Sequence, residues 1–600
     1  MISEEKTPPS SPSPVSSDSV QSSPPSSPDT PPILHQNSQD PNAKWLIQKF
    51  GGTSVGKFAV KIAEDIVSDY IDQHKVAIVC SARSGTTKAL GTTNLLLQSA
   101  SQALQSSRSA SGTPGTNTPN GPFSHFSFSQ PGSPKARSKS SPRSDTAFGS
   151  LAMTPTNQAT PSFNTTVDLI RSEHLNAARS AVRDPQILAT LEAEIEQDCD
   201  GLRSFLFAAQ VIDEISPRSK DSIVGFGERL SCKIMTAILR DRGVDAEFVS
   251  LENIIPAEDG DSSFDNDTLG QDFYDRVAHL VGERIKQCGS RIPVVTGYFG
   301  PVPGSLLRQV GRGYTDLLSA LLAVGVSASE LQIWKEVDGI FTADPRKVPT
   351  ARLIPIISPE EAAELTYYGS EVVHPFTMEQ VIRRKIPIRI KNVENPKGGG
   401  TVIHPDPDID AASATELSSS TPFYQALAHK TGSAPGSPSF EEAAGPYLGR
   451  EENKVPTAVT IKEHIFVINV NSNRKSVSHG FLAGIFGVLD RFGVVVDLIS
   501  TSEVHVSMAI EDGLQKKSLE RVVKELQKSG TVSVHRDMAI LSLVGKQMRH
   551  LVGIAGRANE INISCVIDGR DAVKALNLIH QSCLQIRPEG ALGRVGPWLF

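Results

Sequence analysis

Lys49-Phe50-Gly51-Gly52-Thr53-Ser54-Val55-Gly56 is the stretch whose reading decides the fold. It follows the apolar run Trp45-Leu46-Ile47, so a first strand breaks here into a glycine-rich turn. A helix is predicted beyond it, because Ala59, Ile62, Ile66 and Val67 recur at helical spacing. Glycines at such a turn let successive backbone N–H groups converge on an anion. The following helix N-terminus adds partial positive charge, and Lys49 sits where it reaches the same anion. The stretch therefore reads as a phosphate cradle. A P-loop reading of Gly51–Lys57 stops at Phe58, where that motif needs a Ser or Thr hydroxyl for Mg²⁺.

Outward from the turn, the chain alternates short apolar runs with helical patterns. Lys75–Cys80 reads as a buried strand ending in the small-residue loop Ser81-Ala82-Arg83-Ser84-Gly85-Thr86-Thr87. Ala246–Ser250, Ile292–Thr296 and Leu331–Trp334 read as further strands, with helical periodicity between them. Three more loops carry charged or glycine-rich text: Gly227-Glu228-Arg229-Leu230-Ser231, Gly311-Arg312-Gly313-Tyr314-Thr315-Asp316 and Lys335 through Phe341 to Arg346. The alternation predicts an α/β fold with a doubly wound, mainly parallel sheet, whose ligands gather at the strands' C-terminal ends. Beyond residue 455 the units shorten to a βαββαβ pattern of ferredoxin-like type.

Three stretches read as low-complexity text. Residues 1–43 and 101–163 are rich in Ser and Pro, and 406–455 in Ser, Ala, Gly and Pro. The predicted organisation is a leader to 43, a catalytic domain over 44–405 interrupted at 101–163, a linker over 406–455, and two small units over 456–537 and 538–600. The second unit reads as shortened, since Gly545–Asn559 leaves room for only a short helix. The 600 residues carry a net charge of −7, which gives no footprint for nucleic acid. Six scattered cysteines without a CxxC pair argue for a reducing compartment and against a zinc site. No run reaches membrane-spanning length, and the expected location is the cytoplasm.

The four loops, in this order and spacing, closely resemble those of fungal-type aspartate kinases of the amino acid kinase family, and the small units resemble ACT domains. The resemblance implies phosphoryl transfer from Mg-ATP to the side-chain carboxylate of L-aspartate, giving 4-phospho-L-aspartate at the entry to threonine and methionine synthesis. It implies that Lys49 neutralises the transferring phosphate, Asp316 orients Lys49, and Arg312 clamps a substrate carboxylate. Glu228 would receive the substrate ammonium, with Thr87 and Ser81 lining the pocket. Gly51, Gly52 and Ser54, with Lys335, Phe341 and Arg346, would hold ATP, and Mg²⁺ would arrive with the nucleotide rather than in a protein cage. In the first small unit, Asn471, Gly480, Phe481, Leu482, Asp497, Thr501 and Ser502 match the effector-contacting region, with threonine the implied effector and a homo-oligomer the implied assembly.

Several residues keep a plainer alternative. Glu228-Arg229 also reads as a charge pair at a helix start, Asp344-Pro345 as a simple turn, and His374-Pro375 as a packed loop with no assigned role. Glu371 stands where many bacterial relatives have a nucleotide-contacting lysine, so that contact does not carry over. A non-catalytic amino acid sensor with a vestigial kinase fold is the alternative from another class, and a glutamate-directed kinase the nearest enzymatic one.

Overall fold

The computed structural model describes residues 34–85, 91–110, 163–256, 269–370, 373–405, 456–472, 480–502, 504–546 and 561–585. The first strand, β1 (Trp45–Phe50), has five of its six residues buried and lies at the heart of an eight-stranded sheet. The others are β2 (Lys75–Cys80), β3 (Ala246–Leu251), β4 (Ile292–Phe299), β5 (Glu330–Lys335), β6 (Ile356–Ile357), β7 (Ile388–Asn392) and β8 (Thr401–Ile403). Their order is β3-β4-β2-β1-β5-β7-β8-β6, parallel except where β8 runs against β7. The doubly wound parallel sheet expected from the sequence is therefore present. Connections leave β1 for β2 on one side, while β5 flanks it on the other. That switch point opens a crevice at the strands' C-terminal ends.

The helices that cover this sheet are α1 (Gly52–Lys61), α2 (Thr92–Ala110), α3 (Phe163–Ala181), α4 (Pro185–Ile212), α5 (Pro217–Asp241), α6 (Gln271–Lys286), α7 (Tyr314–Gly325), α8 (Pro359–Tyr367) and α9 (Pro375–Ile382). Two apolar layers result. One face packs Ile47, Val79, Val295, Leu318 and Ile333; the other packs Phe50, Ile78, Val294 and Trp334. The Phe50 and Trp334 rings stack there at 6.0 Å, fastening β1 to β5.

Three sequence expectations change. The ordered chain begins before residue 44: Asn37 is buried, accepts from Val76 N at 2.8 Å and donates to Val76 O at 3.0 Å. A side chain that satisfies the start of β2 in this way is invisible to composition. The expected insertion at 101 starts later, because α2 runs to Ala110 and buries Ala100 and Ala103; small residues at helical spacing read as low complexity. The Gly227-Glu228 stretch is not a loop. It lies in the middle of α5, which starts at the Ser216 cap and Pro217. A Cβ on Gly227 would crowd Ala82, Leu96 and Thr92 at 3.0 Å, so glycine is there for close packing rather than for a turn.

The C-terminal region forms one antiparallel five-stranded sheet: β9 (Ala458–Ser472), β10 (Leu498–Thr501), β11 (His505–Glu511), β12 (Gly530–Val544) and β13 (Asn562–Asp568), in the order β10-β11-β9-β12-β13. Helices α10 (Phe481–Arg491) and α11 (Lys516–Leu526) cover one end, and α12 (Ala572–Ile579) covers the other. The two small units are not simply serial. The second takes its partner strand from Ala458–Lys462, the leading half of β9, which pairs with Ile540–Val544. Asp537 has φ of +57° beside a register shift between His535 and Met538, so the two halves of β12 meet at a bulge. Residues 547–560, on which the reading of a shortened unit rests, lie outside the described residues, as do those of the 406–455 linker.

Candidate active site

At the end of β1, α1 opens at Gly52 with Gly51 extended as its cap, leaving the first-turn N–H groups of Gly52, Thr53 and Ser54 pointing out of the helix. The turn is clamped against the β2 loop by Ser84 N donating to Gly52 O at 2.9 Å. A Cβ on Gly52 would run into Ala82 O, so only glycine lets the two loops meet. Ser81 N donates to Phe50 O at 3.1 Å, placing Ser81 beside the cradle. The Ser54 hydroxyl turns away and donates to Glu336 Oε1 at 2.7 Å, so Ser54 offers an incoming anion its backbone N–H.

Lys49 Nζ lies 2.6 Å from Asp316 Oδ1, with the lysine side chain only 10% exposed. This is a contact of charges rather than an aligned hydrogen bond. Asp316 comes from the first turn of α7, where the helix N-terminus also favours its negative charge. One residue earlier, Thr315 Oγ1 donates to Glu228 Oε1 at 2.8 Å. Tyr298 N, at the end of β4, donates to the other Glu228 oxygen. Burial of Glu228 pushes its carboxyl up to about 7, although bonds from Thr315, Tyr298 N and Tyr314 and the nearby Lys49 charge act in the opposite sense. The ends of β1 and β4, the middle of α5 and the first turn of α7 thus bring Lys49, Asp316 and Glu228 into one buried site.

Helix α5 also holds the Arg312 segment. Asp221, seven residues before Glu228 and so on the same face, is buried. It accepts from Ser305 Oγ at 2.8 Å, Leu306 N at 2.7 Å and Leu307 N at 3.2 Å. Those bonds fix the short helical turn Leu306–Gln309 that leads into Gly311–Gly313. The backbone of Arg312 is placed in that turn; its side chain, like all of Thr87 and Glu371, lies outside the described residues. Asp221, Thr315 and the Tyr298 amide were missed by sequence reading. The signals available were the buried-helix position of Asp221, and Gly297, whose Cβ would sit 2.5 Å from Thr315 Cγ2.

On the other side of β1, Lys335 ends β5 and Phe341 pairs with Leu353 in an isolated bridge. Arg346 does not turn into the crevice. It is 89% exposed and held by Asp344 at 3.0 Å, with Arg346 N on Asp344 Oδ1, so Asp344-Pro345 forms the simple turn. His374 caps α9, accepting from Phe376 N at 3.3 Å.

The expected effector residues separate into two groups. Asn471, Thr501 and Ser502 share one end of the small sheet, where His505 pairs with Asn471 and Ser502 N donates to His505 O at 2.7 Å. Gly480, with φ of +83°, opens α10; Phe481 is buried in the unit's core, whereas Leu482 is exposed. Asp497 is not brought to that end. It precedes β10 by one residue, roughly 13 Å along the strand from Thr501, and its Oδ1 binds Lys462 at 2.7 Å.

Residues 44–392 match the model of the amino acid kinase family, and the chain belongs to that family. Its relatives place it among the aspartokinases. The aspartokinase of Schizosaccharomyces pombe is 44% identical over 585 residues, covering 94% of this chain and 98% of that protein. That of Saccharomyces cerevisiae is 42% identical, covering 91% and 94%. In fold, the chain is similar to Escherichia coli aspartokinase III in complex with lysine and aspartate, with a TM-score of 0.60 at 22% identity, over 90% of this chain and 99% of that one. The chain is a kinase, with an amino acid kinase domain followed by a C-terminal sheet of ACT-type fold. No helix among the described residues is long and apolar enough to cross a membrane.

Proposed function

We propose that this chain transfers the γ-phosphoryl group of ATP to the side-chain carboxylate of L-aspartate, giving 4-phospho-L-aspartate. The observation that carries this reading is the buried cluster of Lys49, Asp316 and Glu228 beside the N-terminus of α1. A side-chain carboxylate with pKa near 3.9 is ionised at neutral pH, so the acceptor needs no general base. The work is to bring two anions together and to stabilise charge on the transferring group.

Lys49 supplies positive charge to the transferring phosphoryl, and Asp316 aims its amino group. The N–H groups of Gly52, Thr53 and Ser54 add an oriented positive field. Glu228 accepts the α-ammonium of aspartate; arrival of that cation draws its carboxyl back toward the ionised form. Arg312 binds the substrate carboxylate, a bidentate task for a guanidinium, and Ser81 and Thr87 line the same side. The loop from Lys335 through Phe341 faces the nucleotide, whose Mg²⁺ enters bound to the phosphates and offsets their charge. Arg346, engaged by Asp344 at the surface, joins the nucleotide only by leaving that pair.

The C-terminal sheet is the regulatory part: an amino acid effector, threonine in our reading, binds at the Asn471, Thr501 and Ser502 end near the α10 N-terminus. The units spanning 456–537 and 538–585 act as two ACT modules that pair between subunits of a cytoplasmic homo-oligomer. The reaction is then a first step toward threonine and methionine that its end product restrains. The test is hydroxylamine trapping of the acyl phosphate, with aspartate or glutamate as acceptor and threonine titrated in. Aspartate-dependent hydroxamate that threonine suppresses is the expected result. Product with glutamate alone, or none from folded protein, overturns the assignment.

A further inference from the structure

We infer that His580, in the last turns of the chain's second small unit, is a positioning residue for the nucleotide loop. The inference rests on the reading of Val337–Arg346 as that loop. After α12 comes a wider helical turn, His580–Leu584, that packs directly on the catalytic domain. His580 is fully buried, with Nε2 2.9 Å from Thr342 Oγ1 and Nδ1 3.5 Å from Thr350 Oγ1. Thr342, itself buried, is one residue beyond Phe341.

Thr342 Oγ1 accepts from Arg352 N at 2.9 Å and keeps one proton and one lone pair for His580 Nε2, so either neutral tautomer of the ring completes the pairing. Burial, and then the Arg352 charge, hold the His580 pKa below its usual value, which keeps the ring neutral. One neutral ring therefore ties two hydroxyls on opposite arms of the segment 342–352.

Neighbouring contacts close the same clasp. Arg352 Nη2 donates to Leu584 O at 2.7 Å, Asn577 Nδ2 donates to Lys347 O at 3.2 Å, and Val459 N donates to Thr342 O at 2.9 Å. Ala343 and Val348 pack against Ala572, Leu576 and Leu584. Apolar packing alone would cover the loop; two hydrogen bonds from one ring also fix where it sits, because a misplaced loop leaves buried polar groups unpaired. The second small unit thereby sets the position of Phe341 and of the loop facing ATP.

In the full-length enzyme, His580→Ala is expected to raise KM for ATP about tenfold, the effect of one lost buried hydrogen-bond pairing. The kcat and the KM for aspartate stay within about twofold, since neither Lys49 nor Glu228 touches the clasp. His580→Gln, whose amide oxygen reaches the Nε2 position, restores most of the ATP affinity; His580→Asn does not. Thr342→Val reproduces the defect from the other side, and the double variant is no worse than either single one. Hydrogen exchange of segment 338–353 is measured in parallel, and rises in His580→Ala. If His580→Ala fails to fold, Thr342→Val and the Gln variant carry the same readings. An unchanged KM for ATP while Phe341→Ala raises it overturns the inference. Faster exchange with no variant of the loop affecting ATP overturns the nucleotide reading and leaves the clasp.

Discussion

The two halves of the proposed site, substrate and nucleotide, are held in different ways. The substrate half is knitted within the catalytic sheet: Lys49 on β1, Glu228 on α5, and Thr315 and Asp316 on α7 are all fixed by elements of that sheet and its two apolar layers. The nucleotide half leans outward. Its loop is satisfied on one side by Thr401 Oγ1, which accepts from Ile340 N at 2.8 Å, and on the other by residues from beyond 456, including Val459 and His580. A charge buried in its own domain is insensitive to what happens elsewhere. A loop whose hydrogen bonds end in another unit moves when that unit moves. In the proposed function the chemistry rests within one domain, whereas nucleotide access rests on contacts with the C-terminal sheet.

The largest effect that sharpens this contrast is at Lys49. Lys49→Ala should lower kcat by about 10³-fold or more, as removal of a preorganised charge at a transition state does, with circular dichroism unchanged. A kcat within tenfold of wild type would remove Lys49 from the chemistry. Next, Glu228→Gln should reduce kcat/KM for aspartate by about 30-fold, the scale of a lost charge-assisted bond, while KM for ATP holds. An equal rise in both KM values would mean the halves are not separate.

The pH dependence tests the same residue. With its carboxyl at about 7, Glu228 gains a proton as the solution is acidified, so kcat/KM for aspartate should fall about tenfold per unit below that point. Glu228→Gln should flatten the profile. Stability runs the other way. The folded carboxyl titrates above the unfolded value of 4.5, so its bound proton stabilises the fold fully below 4.5, and that contribution is lost as pH rises through 7. Glu228→Gln should then be more stable than wild type at pH 8, by on the order of 2–3 kcal/mol, and equal to it at pH 4. Urea midpoints at the two pH values decide this. The smallest effect is expected at Arg346: exposed and paired with Asp344, its replacement by Ala should change KM for ATP by less than about twofold.

Much of the fold was legible because local rules agree with the global ones along the catalytic domain. Apolar runs at 75–80 and 331–334 can only be buried strands, and their parallel order follows from the helices between them. The meeting of Lys49 with Asp316 was legible too, through the resemblance that the two glycine motifs carry. The residues that sequence reading missed act through space. Asp221 is one more acidic residue until Ser305 and the Leu306 and Leu307 amides are folded onto it. Gly227 looks like a loop glycine until Thr92, Ala82 and Leu96 are seen around it. Asp497 matched the effector region by pattern, yet its strand position places it with Lys462 at the other end of β10.

By itself the sequence determined the parallel sheet and the glycine-rich turn after β1, because periodicity and glycine chemistry act over a few residues. Only the tertiary structure decided how the C-terminal sheet is built. Its second unit borrows Ala458–Lys462 from the first strand, a pairing between residues some 80 apart that no local pattern encodes. The same long-range closure sets His580 on Thr342, where burial, rather than sequence neighbourhood, brings one imidazole to two threonines of segment 342–352.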